Sequence, residues 1–177
     1  MMQQLTELEQ QVWALQDIEA IRQLKARYLF SCDSKDPKTM RDCFADGKVH
    51  IDYGRVGVFD NADALVDLFT QLACHDHIVE MHHGVNPQIQ IVDEDNAKAR
   101  WGLHYQLINT RDKTLTQLGA YYDDKYRKTR DGWKIVETTC VVTSTLVLEL
   151  GDAAMKTLFA GRAAPVSVDD PNKQAAR

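Results

Sequence analysis

The N-terminal part of the chain carries one long helical stripe. Leu5, Leu8, Val12, Leu15, Ile18, Ile21, Leu24 and Tyr28 recur at spacings of three and four, with polar residues between them. That is the period of an amphipathic helix with one face turned to a core. Asp36-Pro37 reads as the N-cap and first turn of a second helix through about Ala45, because proline lacks the N–H that is unpaired there anyway. Asn61 caps a third helix, with Leu65, Leu68, Phe69 and Leu72 on its apolar side.

Beyond residue 78 the period falls to two. Ala97, Ala99, Trp101, Leu103, Tyr105 and Leu107 alternate with Lys98, Arg100, Gly102, His104 and Gln106, the pattern of a half-buried strand. Arg111-Asp112-Lys113 turns the chain into a second long strand over 114–128, and Arg130-Asp131-Gly132 into a third over 133–148. Shorter strands over 49–53 and 79–92 complete the set. Helices first and hairpin-linked strands after predict an α+β class, with helices gathered on one face of an antiparallel sheet. A sheet of such long, twisted strands curls, so its concave face leaves a pocket. Residues 141–148 look apolar on both parities, which predicts a homo-oligomer, dimer or trimer, covering the outer face.

Composition narrows the partners. The 177 residues suit a single domain over 1–162, followed by a loose, proline-punctuated tail over 163–177. With 44% apolar and 27% charged residues, global disorder is excluded. Net charge is −5 with no basic stripe, so a nucleic-acid surface is not expected. No apolar run is long enough for a bilayer, and the polar, acidic start MMQQLTELEQQ lacks the pattern of a secretory signal; a cytoplasmic protein is expected. Cys32, Cys43, Cys74 and Cys140 are widely spaced and read as reduced thiols. No nucleotide fingerprint or Gly-rich phosphate loop occurs, and no cofactor or metal is expected.

Four local signatures, in order, resemble the SnoaL-like branch of the nuclear-transport-factor-2-like superfamily. They are Asp17-Ile18-Glu19-Ala20-Ile21 leading into Leu24-Lys25-Ala26-Arg27-Tyr28, Cys32-Asp33-Ser34-Lys35-Asp36, His82-His83-Gly84-Val85-Asn86, and Tyr122-Asp123-Asp124-Lys125-Tyr126 with Gly132-Trp133-Lys134-Ile135. The second is similar to the segment bearing the catalytic Asp in scytalone dehydratases. The third is similar to the strand bearing the catalytic His in hexachlorocyclohexane dehydrochlorinases and bile-acid 7α-dehydratases. The resemblance spans residues 10 to 145 and implies a cone-like curved sheet wrapped by helices. Fold alone implies no activity, since the superfamily also contains binding and assembly modules.

His82 and Asp33 are the central candidates. In the resembling lyases a His abstracts a proton from carbon while an Asp orients it, and an imidazole titrates where a base at neutral pH must. His83 competes with His82, because adjacent strand residues point to opposite faces. Met81, Val85, Ile89 and Ile91 share the parity of His83, which would turn His83 inward, whereas the family-like His-x-Gly-x-Asn string selects His82. The resemblance further implies that Tyr28, five residues before Asp33, and Tyr53 assist as hydrogen-bond donors. Trp101, Tyr105 and Leu107, on the inward parity of their strand, and His83 are candidate substrate contacts; His104 faces away.

Departures from the family pattern matter too. Leu107 stands where scytalone dehydratases have a second histidine, and Cys32 where they have a tyrosine, so scytalone itself is not the expected substrate. Basic residues found near Thr138 and Thr139 in relatives are missing, which argues against an anionic one. His75-Asp76-His77 reads as a solvated turn. The expected function is a cofactor-independent lyase or isomerase acting on a hydrophobic small molecule, with a ring compound favoured. The alternatives are a non-catalytic binding or accessory subunit, like the β-subunit of ring-hydroxylating dioxygenases, and a SnoaL-type polyketide cyclase.

Overall fold

Three helices precede the long strands, as the periodicity predicts. The computed structural model describes residues 2–151, with α1 (Met2–Asp33), α2 (Pro37–Asp42), β1 (His50–Asp52), β2 (Val58–Phe59), α3 (Ala62–Ala73), β3 (Ile78–Ile91), β4 (Asn96–Asn109), β5 (Thr114–Thr129) and β6 (Gly132–Glu149). The tail expected over 163–177 lies outside the described residues. Both predicted caps are present. The Asp36 carboxylate accepts from the Thr39 N–H at 3.0 Å, and Asn61 Oδ1 from the Ala64 N–H at 2.8 Å. The second helix is shorter than expected, because Phe44 and Ala45 leave it to pair with Ile135 of β6.

The strands form one curved, unclosed six-stranded sheet in the order β2-β1-β6-β5-β4-β3. It is antiparallel, as expected, apart from the short β1, which runs parallel to β6. Hairpins force antiparallel pairing on β3 through β6, whereas β1 and β6 are joined only through most of the domain and have no turn to fix their direction. Bulges bend the long strands where the register slips between Gly119 and Ala120, between Lys125 and Tyr126, and between Val85 and Gln88.

The stripe of α1 meets the core only in its second half. Ile21, Leu24, Tyr28 and Leu29 are buried, whereas Leu8, Val12 and Leu15 stay exposed. Trp101 and Leu103 share a buried core with Leu24 and Leu29, but the strand nearest α1 is β3 rather than β4. Gly84 permits that approach, since a Cβ there would stand 2.7 Å from Leu29 Cδ1. Asp17 fastens the same helix to the β5–β6 hairpin, accepting from Trp133 Nε1 at 2.8 Å and lying 2.7 Å from Lys128 Nζ.

Candidate active site

Asp33 is the last residue of α1, where the helix dipole is negative and a carboxylate is disfavoured by some tenths of a kcal/mol. Local stability does not explain it; its partner does. Asp33 Oδ1 lies 2.7 Å from His82 Nδ1, and Oδ2 accepts the His82 backbone N–H at 3.0 Å. An ionised carboxylate only accepts, so Nδ1 carries a hydrogen toward Asp33, and in the neutral imidazole the lone pair is on Nε2. The Tyr105 ring packs against the imidazole with centroids 4.7 Å apart.

A bulge in β3 resolves the parity conflict between the two histidines. Val85 pairs with Gly102 but Gln88 with Arg100, so β3 carries one extra residue there, with Asn86 at φ 50°. The bulge flips the parity of the strand. Ile89 and Ile91 pack against the core after it, while Ile78, Glu80 and His82 line the cavity before it. His83 is exposed on the outer face opposite His104, with ring centroids 6.5 Å apart, so its expected substrate contact is not found. His75 and His77 stack on each other after α3.

The concave face holds a cavity of about 360 Å³. Its lining includes the predicted Tyr28, Tyr53, His82, Tyr105 and Leu107, with Leu65, Leu68 and Phe69 of α3 on the opposite wall. Trp101 is not on the lining; it is buried behind it, donating Nε1–H to Tyr126 Oη at 3.0 Å. The Tyr28 and Tyr53 hydroxyls are 2.7 Å apart. Burial raises the pKa of both phenols well above the ordinary range, so they are neutral hydroxyls rather than phenolates, and Tyr53 is also hydrogen-bonded with the Thr138 side chain. Burial, aided by Glu80 and Asp33, likewise pushes the Cys32 thiol up to about 12.

Two polar clusters were missed by sequence reasoning. Behind the phenols, Lys25 Nζ contacts Asp124 Oδ2 at 2.8 Å with both side chains fully buried. Asp124 also accepts from the Tyr126 hydroxyl at 2.6 Å and the Thr138 hydroxyl at 2.7 Å, and the ammonium sits 3.6 Å from the Tyr122 ring centre. The signal was available, since Lys25 follows Ile21 by four residues and so lies on the apolar face of the helix. The second cluster is Lys35–Glu80–Tyr105. Glu80 accepts from the Lys35 ammonium and from the Tyr105 hydroxyl, the latter at 2.7 Å. Glu80 shares the parity of His82, two residues before it.

The geometry is that of a small apolar chamber with one oriented imidazole, two neutral phenols and a paired carboxylate. Among solved structures, the chain is similar to a hexachlorocyclohexane dehydrochlorinase, LinA-type3, from Novosphingobium barchaimii, at 15% identity, covering 86% of this chain and 97% of that one with a TM-score of 0.70. A scytalone dehydratase-like protein from Novosphingobium aromaticivorans matches at 20% identity over 75% of this chain and 88% of its own, TM-score 0.69. An NTF2-like protein with a cystatin-like fold from the same organism matches at 20% identity over 79% and 90%, TM-score 0.66. These likenesses establish the fold. The family model of the SnoaL-like domain matches residues 13–139, and the chain belongs to that family.

Proposed function

We propose that the protein is a cofactor-independent lyase of the dehydratase kind, or an isomerase, acting on a hydrophobic ring compound. The observation that carries this reading is the His82 imidazole on the wall of an apolar cavity with its Nδ1 held by Asp33 at 2.7 Å. His82 Nε2 takes a proton from a carbon next to an electron-withdrawing group, and the Asp33 carboxylate stabilises the imidazolium that forms. The electron pair left on carbon expels a leaving group from the neighbouring carbon or moves into a carbonyl as an enolate. Tyr28 or Tyr53 donates to the oxygen on which charge develops. In dehydration the departing hydroxide leaves as water, taking up in net balance the proton that His82 removed, so the imidazole is neutral again; in isomerisation that proton returns to another carbon.

An accessory subunit would need no oriented base beside an open chamber, so the cavity and the dyad together favour catalysis. A polyketide cyclase would use the same proton transfer and differ in substrate. The reading includes a cytoplasmic homo-oligomer; among the described residues no helix is long and apolar enough to cross a membrane. The test is to incubate the protein with hydroxy-ketones and halogenated ring compounds and follow release of water or halide. Turnover that vanishes in H82A supports the reading, and turnover that H82A retains contradicts it.

A further inference from the structure

The proposed chemistry uses Asp33 and His82 but leaves Glu80 without a task, although it is a carboxylate on the wall of an apolar chamber. Its environment is built. Lys35 and Glu80 form an ion pair whose side chains are 6% and 11% exposed. Lys35 has φ 59°, the left-handed conformation just past the end of α1 that glycine or asparagine ordinarily fills. A lysine there is strained, and what the strain provides is an ammonium aimed at Glu80 and passing 5.7 Å from the ring centre of Phe69 on the cavity wall. Tyr105 donates its hydroxyl to the other carboxylate oxygen, and its phenol is kept protonated by burial and by Glu80.

We propose that Glu80 is the specificity-determining acceptor of the cavity: it takes a hydrogen bond from a hydroxyl group of an uncharged ring compound and disfavours anions. The inference rests on the cavity being the ligand site proposed above. A carboxylate paired with an ammonium has only acceptor capacity, and each of its oxygens has two lone pairs. Lys35 and Tyr105 occupy one on each oxygen, which leaves acceptor sites beside a largely apolar wall. A ligand without a donor would leave them desolvated and unpaired, and a site built for a donor rejects analogues that lack one. Glu80 and His82 leave the same face of β3 two residues apart, about 6.6 Å by strand rise. The recognised hydroxyl and the carbon that loses its proton therefore sit at separate points of one ring-sized body.

Calorimetric titration with three compounds of one shape tests this: 2-naphthol, 2-methoxynaphthalene and 2-naphthoate. Wild type is expected to bind 2-naphthol at least about tenfold tighter than either of the others. E80M, and K35M/E80M in which no unpaired ammonium is left behind, should lose that preference, whereas H83A, on the exposed outer face, should keep it. Equal affinities in the wild type, tightest binding of the naphthoate, or a preference that survives in both Glu80 variants would overturn the assignment and leave the dyad reading intact. Binding of none of the three would contradict the cavity as a site for ring compounds, and the inference with it.

Discussion

Asp33 grips His82 twice, through the ring at 2.7 Å and through the backbone N–H at 3.0 Å. The second bond ties the carboxylate to the strand itself, so the end of α1 is fastened to β3 beside the imidazole that it orients. His83, one residue on, points the other way and is exposed. On any compound the protein converts, H83A should therefore change kcat/KM less than about threefold, while loss of the general base in H82A should lower it about 10²–10⁴-fold. Steady-state kinetics of the two variants side by side checks this.

The buried Lys25–Asp124 pair predicts a stability effect without a local change in the dyad. Removing the ammonium in K25M leaves the Asp124 charge desolvated and should destabilise the fold by about 3–5 kcal/mol in urea unfolding. K25M/D124N should be milder than K25M, because no charge remains and the amide oxygen still accepts from one of the two hydroxyls that Asp124 binds, Tyr126 on Oδ2 or Thr138 on Oδ1. A K25M midpoint equal to wild type would contradict this account of the core.

Five tyrosines, Tyr28, Tyr53, Tyr105, Tyr122 and Tyr126, have pKa values raised chiefly by burial, as does Cys32. In the unfolded chain thiols and phenols lose their protons near about pH 8.5 and 10. Below that range folded and unfolded states hold the same protons on these groups. Above it the unfolded state releases protons that the folded state keeps, so stability falls as pH rises. The urea midpoint should drop between about pH 8 and pH 10.5, with tyrosinate absorbance of these residues appearing together with unfolding rather than before it.

Val141, Val142, Leu146 and Val147 are 37% to 59% exposed on the end of β6, and Leu8, Val12, Trp13 and Leu15 are exposed on α1. We propose that a second copy of the chain covers these exposed apolar side chains. Light scattering at micromolar concentration should give the mass of two or three chains, and a monomer would contradict the expected homo-oligomer.

Much of the fold was legible because its signals are local. The helical stripe, the Asn61 cap, the Asp36-Pro37 start and the hairpin turns each act within a few residues. The four family-like signatures also meet in space, Asp33 with His82, Asp17 with Trp133 and Lys25 with Asp124. What could not be read was anything set by register. One extra residue near Asn86 decides which histidine faces inward, and an alternation count cannot see it. The direction of β1 against β6 is fixed by tertiary packing, not by a turn. Glu80 and Lys35 carry no local signal, because their pairing depends on a helix end meeting a strand far along the chain. Trp101 followed the inward parity correctly but stands behind the cavity wall, a matter of depth that parity does not encode.

His82, held by Asp33, is proposed to take protons from carbon. Deuterium exchange into the activated C–H of 2-tetralone, an apolar ring ketone, followed by proton NMR in D₂O, tests it without knowledge of the natural substrate. Wild type should exchange faster than buffer, and H82A should be slower by about 10²–10⁴-fold. D33N should be comparably impaired, and the double variant little worse than either single one, since the two residues act as a unit. Exchange by H82A at the wild-type rate would contradict the account.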